Sequence, residues 1–268
     1  MGNVYYCIPS ARPPAEAEKC LSKWRAQGYS VAIVVDNKAD ADAKHDMADI
    51  IISASPEGYR GYAQSVNGIV ELVLGADKSC DWVVTGGDDT YPDPTKDADT
   101  IARECSAHFH NHMECMYPPN KPKWAWDLVF DQKRTDMTKS PWATFGVMQP
   151  TGDLYADRSI ERICGSPWMG REFCKRIYGG NGPLWPEFTH MFVDQHLQEV
   201  ATKLGILWQR PDLTHHHEHF QRQGDYARTR EVPPHLVKWN TGRHWAESKA
   251  IFERLKAGGF AEANDLLT

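Results

Sequence analysis

Short apolar runs alternate with segments of helical periodicity over the first part of the chain. The apolar runs are continuous, which is typical of strands that are covered on both faces. They predict four strands, at residues 4–9, 29–37, 48–54 and 81–87. Helical spacing predicts one helix at residues 14–27, which Gly28 ends, and a second helix at residues 61–76. The order strand, helix, strand, strand, helix, strand predicts an open, twisted, mostly parallel α/β sheet flanked by helices.

The pattern is less regular in the second half of the chain. Helical spacing predicts helices at residues 95–109, 192–205 and 245–267, and an apolar run predicts a strand at 143–150. We expect a loop that leads into a helix at 165–179, an extended segment at 206–220 and a long irregular excursion at 111–142. Because no domain linker is recognisable, we expect one domain with an irregular C-terminal half.

Composition and charge narrow the class of protein. The chain has 268 residues and a net charge of −6, which argues against tight, nonspecific nucleic-acid binding but leaves room for a local basic groove. No apolar run approaches the ~20 residues that span a bilayer, and the N-terminal sequence lacks the features of a signal peptide. Seven cysteines without a Cys-x-x-Cys pair predict reduced, packed thiols. We therefore expect a cytoplasmic protein. The chain also has ten tryptophans, whose rings can line a pocket as well as a core.

Two adjacent carboxylates, Asp88 and Asp89, follow the fourth predicted strand. In open parallel sheets, ligands gather beyond the carboxyl ends of the strands, where paired carboxylates can hold a divalent cation that neutralises a diphosphate. The alternative is a capped turn, because aspartate is favoured in caps and turns. Two aspartates alone favour the turn, but the preceding Gly86 and Gly87 allow another group to approach the backbone closely.

A histidine cluster lies in the segment "THHHEHF", residues 214–220. In an extended segment, His215, His217 and His219 face one way and His216 faces the other. Imidazole and carboxylate ligands together suit Mn²⁺ and other transition metals. We expect some of these histidines to be metal ligands; the alternative is an exposed polar strand.

Asp194 lies near the start of the helix predicted at residues 192–205. A carboxylate in this position can cap the helix or interact with its dipole. It can also be a general base that faces a pocket formed with "GSPWMG", residues 165–170. Taken alone, the residue favours the structural role.

Together, the order and spacing of these motifs resemble the nucleotide-sugar-dependent glycosyltransferases of the GT-A fold. The resemblance rests on "IPSARP", on Asp36 in "VVDN", on "GYRGYAQSVNGIVELV", on "GGDDTYPDP" in the place of the Asp-x-Asp metal motif, on "FVDQHL" in the place of the acceptor-side motif, and on "HEHF". It covers about residues 4–220. It implies a single GT-A-like, Rossmann-like domain with a nucleotide-sugar-binding half, residues 1–110, and an acceptor-binding half with C-terminal helices, residues 111–268.

The resemblance also implies a role for each matching residue. Residues that would border the nucleotide, its ribose or its diphosphate are Pro9, Ser10, Arg12, Asp36, Arg60 and Asn67. Asp89, with Asp88 on the sugar side, would hold Mn²⁺ or Mg²⁺ together with His217, or with His219 as the second choice. Asp194 would deprotonate the acceptor hydroxyl, so that the sugar is transferred with inversion. Because the motif reads Asp-Asp-Thr and Val193 stands where the family has Glu, the choice of carboxylate and a retaining mechanism both stay open.

The expected donor is a nucleoside-diphosphate sugar, with UDP-glucose or another UDP-sugar favoured, and the acceptor is open. A saccharide is one choice, and a hydroxymethylated pyrimidine in DNA, as in small phage glycosyltransferases, is another. Basic residues interleaved with aromatic ones at residues 120–134, and the basic segment 221–230, would suit a phosphate backbone and a stacked base; a solvated loop is the alternative. Two rival functions are a nucleotidyltransferase and a non-catalytic protein that binds a nucleotide or a metal.

Overall fold

The computed structural model describes residues 2–54, 60–116, 141–153, 159–219, 237, 239 and 241–266. The strands are β1 Asn3–Pro9, β2 Ser30–Val35, β3 Ile50–Ser53, β4 Cys80–Val84, β5 Thr90–Tyr91, β6 Val147–Pro150, β7 Trp168–Gly170, β8 Leu207–Arg210 and β9 His216–His217. Seven of them form the main sheet, in the order β3-β2-β1-β4-β7-β6-β8, and β5 pairs with β9 in a separate two-stranded sheet. Within the main sheet only β7 runs antiparallel to its neighbours, β4 and β6.

Helices cover both faces of the main sheet. They are α1 Pro14–Ala26, α2 Lys38–Ala43, α3 Tyr62–Ala76, α4 Ala98–Met116, α5 Arg171–Arg176, α6 Val193–Lys203 and α7 Gly242–Ala257. Short 3-10 segments occur at Pro141–Thr144, Ser159–Arg162, Ile177–Gly180 and Ala261–Leu266. One core cluster packs α3, α5, α6 and α7 on the sheet, and the other packs α1 and α4 on the opposite face.

The alternation of side chains along β1 shows how the sheet divides the core. Tyr5 and Cys7 belong to the α3 side, whereas Tyr6 and Ile8 belong to the α1 side. A strand buried on both faces must be apolar at every position, because successive side chains point to opposite faces. The prediction of a mostly parallel α/β sheet flanked by helices is confirmed.

Some predicted elements differ from the structure. The loop expected at residues 165–179 contains the strand β7 before α5, and α4 continues to Met116 instead of ending at residue 109. The short helix α2 and the strand pair β5 and β9 carry too few residues for a periodic pattern. The C-terminal helix ends at Ala257 and is followed by a 3-10 segment, because Gly259 turns the chain with a positive φ.

The division at residue 110 stays a prediction, since strands from both parts contribute to the main sheet. The excursion expected beyond α4 falls mostly on residues 117–140, outside the described ranges. The six cysteines whose side chains are described are free and buried, as the sequence predicts. Within the described residues, the structure has no helix that is both long and apolar enough to cross a membrane.

Asp93 ties the loop after β4 to the histidine segment. Its Oδ1 accepts hydrogen bonds from the backbone N–H of Thr95 (2.8 Å) and Lys96 (3.2 Å). Its Oδ2 accepts one from the N–H of Thr214 (2.7 Å), just before β9. Because Asp93 is only 2% exposed, these donors would lose a partner that water cannot simply replace. This carboxylate therefore supports the pairing of β5 with β9.

We expect Asp93→Ala to lower the free energy of unfolding by about 2–4 kcal/mol, because several backbone donors lose their acceptor at once. Urea denaturation followed by circular dichroism measures the change. Asp99→Ala, which removes an exposed carboxylate from α4, is the matched control and should change stability by less than about 0.5 kcal/mol. Equal effects of the two substitutions would contradict the assigned role of Asp93.

Candidate active site

A cavity of about 780 Å³ opens at the carboxyl edge of the parallel strands. Its walls come from the loops after β1 and β4, the end of β2, the start of α6 and the histidine segment around β9. Val237, Trp239 and Trp245 from the C-terminal part of the chain also line it. A volume of this size is typical of sites that bind small molecules.

Two tyrosines, the buried Tyr6 and the partly buried Tyr62, hold the glycine pair that precedes the carboxylates. The hydroxyl of Tyr6 donates to the carbonyl of Gly87 (2.6 Å), and that of Tyr62 donates to the carbonyl of Gly86 (3.1 Å). A Cβ atom on Gly86 would lie 2.9 Å from the Tyr6 hydroxyl, which is too close for any larger residue without a shift. The close approach expected at these glycines is therefore made by tyrosine side chains of the protein itself.

Asp88 is held by the loop that follows β1. Its Oδ2 accepts hydrogen bonds from the Ser10 hydroxyl (2.9 Å) and the backbone N–H of Arg12 (3.1 Å). Its Oδ1 accepts one from Nε of Arg12 (3.2 Å). A buried carboxylate with both oxygens engaged in this way is better suited to fixing two loops together than to binding a cation.

Asp89 has different partners. Its Oδ2 accepts a hydrogen bond from the Arg12 guanidinium (2.8 Å), and its Oδ1 lies 3.3 Å from Nε2 of His217. Burial raises the pKa of the Asp89 carboxyl, but the hydrogen bond and charge of His217 and the charge of Arg12 outweigh it and lower the pKa to about 2. Asp89 is therefore ionised across the neutral range.

The strand β9 brings His217 to Asp89. Thr90 pairs with His217 across the two-stranded sheet, and the N–H of Glu218 donates to the carbonyl of Asp89 (2.8 Å). The N–H of His217 itself donates to Asp153 (3.0 Å), a buried carboxylate that no sequence motif marks. Backbone pairing, rather than the side chains alone, therefore fixes the contact between His217 and Asp89.

The other histidines follow the predicted alternation. His215 and His219 line the cavity with His217, whereas His216 contacts the ring of Tyr91. The rings of His217 and His219 are 5.0 Å apart. Burial lowers the pKa of both His215 and His219 to about 4, so both are neutral near pH 7. A neutral imidazole has a lone pair that it can offer to a cation.

The residues around Asp89 fit a divalent cation in part. Asp89, His217 and His219 are a carboxylate and imidazoles, a set that suits Mn²⁺ better than Mg²⁺. Among the described residues, however, no three His, Cys, Asp or Glu side chains are already arranged as a metal site. The protein would supply Asp89 and His217, and the remaining ligands would have to come from a bound substrate and water.

Lys44 is a buried cation that no sequence pattern marks. It lies at the end of α2, is 1% exposed, and its Nζ donates to the carbonyl (2.9 Å) and hydroxyl (3.1 Å) oxygens of Ser10. Burial lowers the pKa of Lys44, and the nearby Asp88 acts in the opposite direction. Ser10 thus connects Lys44 to Asp88, so a second positive charge supports the carboxylate pair.

The remaining residues expected at the nucleotide divide into two groups. Pro9, Ser10 and Asp36 line the cavity, whereas Arg60 and Asn67 are not among its lining residues. The amide of Asn67 instead donates to the carbonyl of Leu184 (2.7 Å) and accepts from its N–H (3.0 Å). Asn67 therefore fixes the loop that carries Leu184, and a direct role at the nucleotide stays a prediction.

Asp194 lies in the first turn of α6 and lines the cavity. Burial raises the pKa of its carboxyl, even though Oδ1 accepts a hydrogen bond from the N–H of Gln195 (2.9 Å). The carbonyl of Asp194 accepts a hydrogen bond from the N–H of Cys164 (3.2 Å), which fixes the start of the helix. A carboxylate with a raised pKa is suited to accept a proton.

Aromatic side chains form one wall of the cavity that Asp194 lines. Phe192 has φ 65°, a left-handed conformation that is costly for a residue with a side chain. Its ring is 5.6 Å from that of Trp245, which is 47% exposed. Phe192, Trp239 and Trp245 all line the cavity. Tryptophan abundance is the one sequence signal for this wall, and it does not indicate which tryptophans form it.

No protein-family model matches the chain, and no curated protein matches it in sequence. Solved structures of glucosyl-3-phosphoglycerate synthase from Mycobacterium tuberculosis are similar at low identity. The complex with Mn²⁺, UDP and glucosyl-3-phosphoglycerate has a TM-score of 0.46 and 10% identity, over 95% of this chain and 79% of that one. The complex with Mn²⁺, UDP and phosphoglyceric acid has a TM-score of 0.46 and 11% identity, over 93% and 78%. Likeness at this level does not assign a function, which has to rest on the chain's own residues.

Proposed function

We propose that this protein is a metal-dependent glycosyltransferase of the GT-A type. It would move a sugar from a nucleoside-diphosphate sugar, with a UDP-sugar favoured, to the hydroxyl group of an acceptor. The observation that carries the proposal is that one cavity contains both an ionised carboxylate paired with a histidine and a second carboxylate with a raised pKa. The two groups differ in electrostatic environment, as separate roles in donor binding and proton transfer require.

Asp89 and His217 would hold the Mn²⁺ or Mg²⁺ ion, with His219 as a further neutral imidazole nearby. When bound, the ion supplies positive charge that stabilises the departing nucleoside diphosphate. Pro9, Ser10 and Asp36 would border the nucleotide. Asp88 would keep the loops after β1 and β4 in register, since its oxygens are already engaged.

Asp194 would accept the proton of the acceptor hydroxyl as its oxygen attacks the anomeric carbon. The bond from that carbon to the diphosphate breaks in the same displacement, so the configuration of the sugar inverts. Burial prepares Asp194 for this step, because a carboxylate that is less well solvated is a stronger base.

A nucleotidyltransferase would also use a nucleotide site with carboxylates, but it releases pyrophosphate rather than a nucleoside diphosphate. It needs a glycine-rich loop bearing Lys or Arg that is free to hold a triphosphate. Here the loop after β1, residues 10–13, has no glycine. The released product therefore distinguishes the two functions.

The direct test follows UDP release from UDP-glucose and a panel of other nucleotide sugars, with and without Mn²⁺. We expect Asp89→Ala to weaken Mn²⁺-dependent UDP binding by about tenfold or more, since it removes the charged ligand. Asp194→Asn should leave that binding unchanged and lower transfer by about 100-fold to 10,000-fold.

Absence of any UDP release with every donor and acceptor would overturn the proposed function. Full transfer activity in Asp194→Asn would overturn only the assignment of the base and would favour a retaining mechanism. Asp99→Ala is the control for both variants, because it removes an aspartate from α4 outside the cavity.

The pH dependence of transfer gives a second test of Asp194. The base must be ionised, so kcat should fall as the pH drops through its pKa, by about tenfold per pH unit on the acid side. Because burial raises this pKa, the midpoint should lie above 3.8, the ordinary value for aspartate. Measuring kcat against pH at saturating donor and Mn²⁺ checks the expectation. A midpoint at or below the ordinary value would contradict it.

For the acceptor, the aromatic wall supports a molecule that presents the face of a ring beside its hydroxyl. Trp245 and Val237 are two of the three large apolar residues that are exposed within the described part of the chain, and both line the cavity. Nζ of Lys249 lies 5.1 Å from the Trp245 ring centroid. A saccharide ring and a hydroxymethylated pyrimidine of DNA both offer such a face. The basic segments that suggested DNA, residues 120–134 and 221–230, lie outside the described residues, so DNA stays a prediction.

Trp245→Ala should raise the KM for an acceptor found in this screen by about tenfold, the usual cost of losing one stacking contact. The affinity for UDP with Mn²⁺ should not change. Leu72→Ala, which removes a similarly exposed apolar residue from α3, is the matched control. Hydroxymethylated DNA and simple saccharides should be compared as acceptors. An unchanged KM in Trp245→Ala would contradict this placement of the acceptor.

A further inference from the structure

The guanidinium of Arg12 bridges the two carboxylates that follow β4. Its Nε lies 3.2 Å from Asp88 and its terminal NH2 nitrogen 2.8 Å from Asp89, while the other terminal nitrogen lies 3.5 Å from Glu16 on α1. The Arg12 side chain is 21% exposed. Arg12 is not among the residues that line the cavity, but both of its partners, Asp88 and Asp89, are. Arg12 and His217 thus contact different oxygens of Asp89.

The two carboxylates differ in how easily they can change partners. Asp88 would keep its bonds to the Ser10 hydroxyl and the Arg12 backbone N–H even if the guanidinium moved. The Lys44 ammonium also donates a hydrogen bond to the Ser10 hydroxyl, which helps to hold Ser10 in place. On its Arg12 side, Asp89 has one contact, the single bond from the NH2 nitrogen. Rotation of the Arg12 side chain alone would therefore release an oxygen of Asp89 without disturbing the loop.

We infer that Arg12 is an exchangeable counter-cation that makes metal binding at Asp89 depend on the nucleotide. This inference rests on the proposed function, since it concerns how the donor and its cation enter that site. Before the donor binds, the guanidinium neutralises Asp89. When the donor binds, Arg12 leaves Asp89 and pairs with the diphosphate, for which its planar fork of N–H donors is well suited.

The reason is electrostatic. A divalent cation at Asp89 would lie within a few ångströms of the guanidinium, and like charges at such a distance in a partly buried site repel strongly. A cation alone must therefore displace Arg12 without offering it a new partner. A cation that arrives with a diphosphate offers that partner, because the phosphates carry the negative charge that Arg12 loses at Asp89.

The consequence is a coupling between the two ligands. The nucleotide raises the affinity for the cation, and by linkage the cation raises the affinity for the nucleotide by the same factor. Direct contact between cation and diphosphate gives part of this coupling, and Arg12 adds to it. Removal of the Arg12 charge should therefore change the two affinities in opposite directions, which loss of an ordinary structural contact would not do.

The test compares wild type, Arg12→Met, Arg12→Lys and the control Arg103→Met. Arg103 also pairs with a carboxylate, Asp99, but on the exposed surface of α4. Binding of Mn²⁺ alone is measured from the loss of the free-ion signal in electron paramagnetic resonance. Binding of UDP at saturating Mn²⁺ is measured by calorimetry, and circular dichroism verifies that each variant is folded.

In Arg12→Met, we expect Mn²⁺ alone to bind about tenfold more tightly and UDP with Mn²⁺ to bind about tenfold more weakly. Arg12→Lys keeps the charge and should stay close to wild type for Mn²⁺ alone, and Arg103→Met should match wild type in both measurements. An unchanged or weaker affinity for Mn²⁺ alone in Arg12→Met would overturn the inference. If instead Mn²⁺ binds more tightly but UDP binds to none of the proteins, the role of Arg12 as counter-cation at Asp89 stands and the proposed function fails.

Should Arg12→Met not fold, Glu16→Gln provides the second variant, because it removes the carboxylate that holds the far side of the guanidinium. With that restraint removed, Arg12 remains charged and should pair more firmly with the two aspartates. Mn²⁺ alone should then bind no more tightly than in wild type. Tighter binding in Glu16→Gln would contradict the inference.

Discussion

The pairing of Thr90–Tyr91 with His216–His217 is the constraint on which the site depends. It joins two segments that are far apart in sequence and places His217 against Asp89. A ladder of two residues on each side is not stable by itself. Asp93 and Asp153 therefore matter, because each accepts a backbone N–H from the histidine segment while buried. These backbone hydrogen bonds hold the histidine segment in the position where His217 contacts Asp89.

The carboxylates at this edge create an excess of negative charge that the protein balances locally. Adjacent ionised aspartates repel each other, and burial makes that repulsion larger. Arg12 faces both of them, and Lys44 approaches Asp88 through Ser10. This arrangement separates the two roles that the motif leaves open. Asp88 fixes the loops after β1 and β4 to each other. Asp89 has a contact with the Arg12 guanidinium that a ligand can replace.

The sequence pattern locates the long strands and helices, but it does not locate short elements and side chains whose positions depend on tertiary contacts. Strands β1 to β4 are continuous apolar runs, so their pattern is sufficient to locate them. The three residues of β7 have no periodicity, and its place is set by packing so close that a Cβ on Gly170 would lie 2.1 Å from the Thr144 carbonyl. Asp88, Asp89 and Asp194 are recognisable because strand ends and helix starts are recognisable. Lys44 is not recognisable in the sequence, because its role depends on tertiary burial and on its hydrogen bond to the Ser10 carbonyl.

The proposed function requires Asp89 and His217 to hold a divalent cation together with a nucleoside diphosphate. Electron spin-echo spectroscopy of Mn²⁺ bound in the presence of UDP tests it most directly, because it detects nitrogen and phosphorus nuclei next to the same ion. We expect a histidine nitrogen coupling and a phosphorus coupling in the wild type, with the nitrogen coupling lost in His217→Ala and kept in His216→Ala. A bound Mn²⁺ that shows phosphorus but no nitrogen coupling, or a nitrogen coupling that survives His217→Ala, would contradict it.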